Sequence, residues 1–407
     1  MSITQGEITI VSESTNQIVV GINSYDPNSP RHDIWRMEGT QGVPRDGGVR
    51  VAKDIDPTQN FVDNTVEPDR DYRYQLSSHG IPYGQPQGHP SGVNILLDTD
   101  IMSDCDDAGA FYLLMNLNKR DECGISCVVT NARSDYSPGV VEAMLLYNGY
   151  DINNIPIGAY KDNTVGRTEP FKGTHYPDIN ADTATYGHTR TTRSQFPDAV
   201  NVLRQTLVDL PSNQENVYCS IGFLTNIYYL LSSGPDAISP LTGIELVQQK
   251  ISHFVIMGGD YPVGNEHNFR SHNAEIYTSD AIDLINNTGL NLYLCGFTLG
   301  RDIRAGGTIE TDVPAIDPLY ICYNEYTEGS FRHYTYDVNA VLSAVRDKFH
   351  YFQWTQGWVN VDSEGANTWT NDAEGRHFYA EPHNTGNGPT TAQMETMYDE
   401  LITEHTL

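Results

Sequence analysis

From Val93 onward, short wholly apolar runs alternate with longer stretches in which apolar residues recur every three or four positions. The apolar runs are "VNILLDTD", "GISCVVTN", "IPIGAY", "NVYCSIG", "HFVIMGG" and "NLYLCGF". The stretches between them include "DAGAFYLLMNLNK", "PGVVEAMLLYNGY", "LTNIYYLLSSG" and "DAIDLINN", which read as helices. Strands without a polar face, separated by helices, predict a mostly parallel sheet covered on both sides, an α/β fold. Such sheets bind ligands beyond the carboxyl ends of their strands. Residues 1 to 88 have a different rhythm. Short alternating or β-branched runs, "EITIVSE", "QIVVGINSY", "HDIWRME", "VRVAKDI" and "YRYQLSS", are divided by "DPNSP" and "PRDGG". That spacing predicts a small all-β sandwich. The Gly/Pro-rich piece "HGIPYGQPQGHPSG", residues 79 to 92, reads as a connector, so the expected domains are 1–88 and 89–407. Residues Lys161 to Arg193 show little periodicity and read as a long loop over a binding site.

Charge narrows the partners. The chain has 53 acidic residues against 24 Lys plus Arg, a formal net charge of -29, which argues against a nucleic-acid backbone or an anionic membrane as partner. Acidity of this kind ordinarily serves solubility. No apolar run approaches the roughly 18 residues of a membrane span. The opening "MSITQGEITIVSES" has neither the basic nor the apolar part of a secretory signal, which fits a cytoplasmic or a virion-associated protein equally. Six scattered cysteines beside apolar runs predict buried free thiols.

One segment carries chemistry. "VNILLDTDIMSDCDDAGAF" places five aspartates between positions 98 and 107, where a strand gives way to a helix. Acids near a helix start are favoured by the dipole, which accounts for one or two of them. Five repel one another unless protons, basic side chains or a cation neutralise them. The segment has no basic residue, so a hard divalent ion with oxygen ligands, calcium or magnesium, is the natural occupant.

The same residues resemble the signature of the inosine/uridine-preferring nucleoside hydrolases, in a longer variant, DTDxGSDCDDAGA. Further stretches follow in the family's order. "CSIGFLTNIYYLL" is similar to its TGPLTN turn, "VIMGGDYPVGNEHNF" to its MGG, GN and EFN segment, and "YTYDVNAVLSAV" to its late helix start. "GFTLGRDIRAGG" corresponds to an intervening strand and loop. The resemblance implies calcium-dependent hydrolysis of the N-glycosidic bond of a ribonucleoside or related N-riboside. It implies Asp100, Asp107, the main-chain carbonyl of Ile221 and Asp337 as calcium ligands. Asp100 would also be the general base, Asp106 would grip the ribose 2-hydroxyl, and Asn265, Glu266 and Asn268 would hold the outer hydroxyls. Asp98 would support the turn, and Thr225 and Asn226 would be structural.

This chain departs from the pattern in three places. Two extra residues separate "DTD" from "DD"; Met102 stands where the pattern has glycine, which predicts strain if that position needs a positive φ; and Tyr336 stands where the family often has a histidine for the leaving base. Tyr336 can stack on a base, with His267, His333 and Trp358 as other candidates. A second reading is a catalytically weakened hydrolase-fold binding or structural protein, such as a virion decoration or adhesin. Segment "FVDNTVEPDRDYRYQLSS" resembles the closing strands of fibronectin type III domains, which implies attachment to a protein or surface through residues 1–88. Homo-oligomer formation is left open.

Overall fold

The computed structural model describes residues 92–102, 104–168, 175–212, 214–346, 348–383 and 388–404, together with residue 59 and the strand segments before residue 80. The connector expected at 79–92 lies almost wholly outside the described residues. Two compact units are present, Met1–Gln85 and Pro86–Leu407.

In the first unit, each of the five runs picked out by their alternation contains a strand among the described residues. Gln5–Gly6, Tyr72–His79, Arg31–Glu38 and Val49–Ala52 make one antiparallel sheet in that order, and Ile8–Ser14, Gln17–Ile22 and Phe61–Asp63 make another. Ile18, Val20 and Ile34 are buried there.

The second unit is built on a ten-stranded sheet. Its strands are β1 (Val93–Thr99), β2 (Cys123–Thr130), β3 (Ile157–Ala159), β4 (Asn216–Ile221), β5 (His253–Met257), β6 (Val263–Asn265), β7 (Asn291–Cys295), β8 (Gln353–Val361), β9 (Ala366–Asn371) and β10 (His377–Glu381). Their order is β3-β2-β1-β4-β5-β7-β10-β8-β9-β6. The first seven in that order, β3 through β10, pair in parallel, and each of the six apolar runs is one of them. The numbering reverses between β1 and β4, which opens a crevice at their carboxyl ends. The antiparallel extension β8–β9–β6 was not legible in the pattern, because its strands are half exposed and rich in Thr, Asn and Gln.

Helix α1 (Asp106–Lys119) follows β1; every residue of it except Asn118 is buried. A helix covered all round has no polar stripe. It packs on β2 and against α6 (Tyr336–Val345) and α7 (Thr391–Thr403), while α2 (Ser137–Tyr147), α3 (Ala199–Asp209), α4 (Thr225–Ser232) and α5 (Glu275–Thr288) follow their own strands. All six cysteines are free and buried, as the apolar flanks predict.

Two expectations need correction. The stretch 161–193 is not one long loop: His175–Ala181 and Thr183–Tyr186 are helical, the second capped by the Asp182 carboxylate, which accepts the Thr185 amide. Both helices are too short to show a period; Tyr176 and Ile179 anchor the first in the core and Tyr186 anchors the second. The strain expected at Met102 is absent as well. Positive φ among the described non-glycine residues occurs at Asp121, His272, Asn273, Glu328 and Phe331, and Met102 is simply a core side chain. One argument for a weakened enzyme therefore falls away.

Candidate active site

Strand β1 runs out at Thr99, and the chain must turn to enter α1. Thr99 shapes that turn. Its hydroxyl donates to Asp107 Oδ1 at 2.6 Å and accepts the amide of Ile101 at 3.0 Å. Next to it, Gly222 follows the last residue of β4. A methyl group on Gly222 would sit 2.6 Å from the Asp100 amide nitrogen and 2.7 Å from Asp100 Oδ1. Only glycine lets the β1 and β4 ends approach so closely, and this brings the Ile221 end of β4 beside Asp100.

The third component comes from more than two hundred residues away. Helix α6 packs on α1, and its second residue is Asp337. Thr335 holds the cap position of that helix, and Asp337 lies in its first turn. Its amide donates to Asp106 Oδ2 at 3.0 Å. Carboxylate oxygens of Asp106, Asp107 and Asp337 all lie within 4.8 Å of one another, and all three residues are buried.

Burial is the largest influence on each of these three acids, and the neighbouring carboxylates add to it. All three are pushed well above the usual carboxylate range, and Asp100 is close enough to contribute to each. No Lys or Arg forms an ion pair with them among the described residues. Three buried carboxyls facing one another suit a hard cation with oxygen ligands, the donor set that calcium prefers.

A second layer supports the turn. Asp98, at the end of β1, accepts from Tyr218 Oη at 2.8 Å, Asn226 Nδ2 at 2.8 Å and Asn131 Nδ2 at 3.0 Å. Burial pushes its carboxyl up to about 7 against the pull of those donors. Asn131 Oδ1 accepts the Phe223 amide, and Thr225 Oγ1 donates to the Asn131 carbonyl. These contacts give Thr225 and Asn226 the structural part expected of them. Asp98→Ala strands three buried donors and is expected to cost about 3 kcal/mol, read as a lower urea midpoint at unchanged slope.

After β5, Glu266 and Asn268 are buried and Asn265 is exposed at the end of β6. Glu266 accepts the Gly259 amide at 3.0 Å and the Asn268 amide at 2.8 Å. Burial raises it to about 7, and Asp100 is near enough to contribute. Asn268 Nδ2 donates to the Met257 carbonyl at 3.2 Å. Tyr336 is partly buried and stacks on Phe297, with ring centroids 5.1 Å apart and planes 14° apart. Trp358 lies in β8, bonded to Asp372 and packed on His377.

The sequence reading missed the part played by Asp104. It occupies the two-residue extension of the turn, and its carboxylate takes His333 Nε2 at 3.0 Å and the Tyr326 hydroxyl at 2.9 Å. Burial raises this carboxyl, but His333, Tyr326 and the Cys105 amide outweigh it and hold the group below the usual range. The added length itself was the signal, because two residues inserted into a tight turn have to be anchored somewhere.

The profile of the inosine-uridine preferring nucleoside hydrolases matches residues 95–397, more than half of the 407-residue chain. The chain belongs to this family. Solved nucleoside hydrolases share the fold. A plant nucleoside hydrolase, PpNRh1, gives a TM-score of 0.52 at 17% identity, covering 77% of this chain and 99% of its own. The inosine-uridine preferring nucleoside hydrolase of Bacillus anthracis gives 0.54 at 16% identity, covering 76% of this chain and 97% of its own. The purine-preferring ribonucleoside hydrolase of Gardnerella vaginalis gives 0.52 at 16%, covering 76% and 98%. No curated protein matches the chain. At such identities the likeness to other nucleoside hydrolases establishes the fold, and the site must be argued from its own residues.

Proposed function

We propose that this nucleoside hydrolase family member cleaves the N-glycosidic bond of a ribonucleoside or related N-riboside with the help of calcium. One observation carries the reading: buried carboxylates from two remote parts of the chain, Asp106 and Asp107 on α1 and Asp337 on α6, face one another within 4.8 Å. The proposed ion ligands are Asp100, Asp107, the Ile221 carbonyl and Asp337. When bound, the ion would lower the pKa of a water molecule and neutralise the acids around it.

The rest of the chemistry belongs to the side chains. Asp100 takes the proton of the water that adds to the anomeric carbon as the bond from that carbon to the base nitrogen breaks; the base leaves with the bonding pair and takes a proton from solvent. Asp106 accepts from the sugar 2-hydroxyl, while Glu266 and Asn268, with Asn265, hold the outer hydroxyls. Hydrogen bonds that shorten as the sugar ring flattens favour the oxocarbenium-like transition state over the bound substrate. Tyr336, stacked on Phe297, offers the leaving base an aromatic wall. The paired antiparallel sheets before residue 80 fit a small sandwich, and we assign them to attachment.

The test is release of base from inosine and uridine, and of nitrophenol from p-nitrophenyl riboside, with calcium and then with excess chelator. Turnover that stops with chelator and returns with calcium is the expected result. Turnover indifferent to chelator, or its absence with one calcium tightly bound, sinks the proposal.

A further inference from the structure

Beside the acidic centre lies a cavity of the opposite character. It is an open hollow of about 390 Å³, lined among the described residues by Arg133, Gly166, Arg167, Thr168 and His272. In a chain of net charge -29, two arginines and a histidine around one hollow run against the overall field.

The cavity is built by interlocked loops. After β2, Arg133 donates its amide to the Val165 carbonyl at 3.0 Å, its Nε to the Gly166 carbonyl at 2.9 Å and one terminal nitrogen to the Asn163 carbonyl at 3.0 Å. These bonds fix the guanidinium, and no acidic side chain pairs with it among the described residues. Gly166 has φ +94°, and a methyl group there would sit 2.7 Å from Ala132 Cβ. From the other side, the Gly166 amide donates to the His272 carbonyl at 3.1 Å and Asn273 Nδ2 donates to the Thr164 carbonyl at 2.8 Å. His272 and Asn273 have φ of +56° and +69°, left-handed positions that Asn and His tolerate and that these bonds hold in place. Burial, Arg167 and Arg133 lower the His272 imidazole, while Glu275 pulls the other way.

The link to the sugar site is one residue long. The His272 ring meets His267 at 5.2 Å between centroids, and His267 stands between Glu266 and Asn268. Phe223, next to Gly222, contacts both histidines. An anionic group carried on the outer hydroxyl of a sugar held by Glu266 and Asn268 would enter the arginine-lined cavity. Arginine forks match phosphate oxygens in geometry as well as charge.

We propose that the substrate is an N-riboside carrying a phosphate on its 5′ oxygen, with Arg133, Arg167 and His272 as the phosphate subsite. This rests on the N-riboside reading above, so the test has two separate arms. In the first, ribose 5-phosphate, ribose and inorganic phosphate are titrated calorimetrically into calcium-loaded protein, wild type, Arg133→Gln and Arg167→Gln. Ribose 5-phosphate is expected to bind at least tenfold tighter than either fragment, with that advantage lost in Arg133→Gln and in Arg167→Gln. Equal binding of ribose and ribose 5-phosphate, or inorganic phosphate binding as well as the sugar phosphate, overturns the proposal. In the second arm, kcat/KM for inosine 5′-monophosphate is compared with that for inosine. A ratio of ten or more in wild type that falls to about one in the arginine variants supports it. Hydrolysis of inosine with the monophosphate ratio at or below one overturns it while leaving the N-riboside reading intact. If neither is hydrolysed the N-riboside reading has failed, and the calorimetric arm alone decides whether the cavity holds phosphate.

Discussion

Asp337→Asn is expected to abolish calcium binding and turnover together, although the substitution changes no volume and lies far in sequence from the acidic turn. The reason is the convergence of Asp106, Asp107 and Asp337 within 4.8 Å. An amide in place of one carboxylate removes a full charge from the set that balances a dication. Losing a hydrogen-bond partner of a ligand typically costs 10–100-fold in metal affinity, so a direct ligand should cost at least about 100-fold. Asp107→Asn should behave in the same way, its amide oxygen still able to accept the Thr99 hydroxyl. Asp106→Asn is the informative contrast. If Asp106 grips the sugar, that variant keeps calcium, measured calorimetrically, while kcat/KM falls by about 10–100-fold. Loss of calcium from the Asp106 variant equal to that from the Asp337 variant would move Asp106 into the ligand set. Retention of calcium in all three would remove the ion site from this position altogether.

The second large effect is an inverted pH dependence of stability. In chelator-treated protein, Asp106, Asp107 and Asp337 are all raised well above the usual 3.8, and Asp98 and Glu266 reach about 7. An acid raised on folding leaves the folded state holding protons that the unfolded chain has already released. Stability is therefore greatest below about pH 4 as far as these groups decide it, and it falls as pH climbs toward and past 7. Between pH 5 and 8 the melting temperature of the chelated protein should drop by roughly 5 °C or more. Calcium should reverse the trend. The stabilisation it gives should be largest at pH 8 and should shrink toward pH 5, where protons compete for the same oxygens. A chelated protein that melts higher at pH 8 than at pH 5 would show that these acids are not forced together as described.

How much of this could be read before folding differs from element to element. The apolar runs from Val93 to Cys295 gave their strands within one or two residues, because a strand covered on both faces tolerates few polar side chains. The aspartate turn was equally legible, since like charges crowded within ten positions demand compensation wherever they fold. By contrast, the half-exposed strands β8, β9 and β6 and the short helices between 175 and 186 carry too little periodicity to register. Met102 shows the opposite error. A glycine-to-methionine difference looked costly on paper and proves to be ordinary core packing, because the backbone there takes no positive φ.

The chain's own order of residues determined the α/β character, the buried thiols and the crowding of five acids into one turn, all consequences of local hydrophobicity and charge. Tertiary structure alone decided which groups meet. The α6–α1 packing carried Asp337 to Asp106, the two-residue extension delivered Asp104 to His333, and the clamp of residues 163–166 between Arg133 and His272 made a cationic hollow beside an anionic centre. Distances of a few ångströms between residues two hundred positions apart depend on helix packing and loop closure, and no local pattern encodes them.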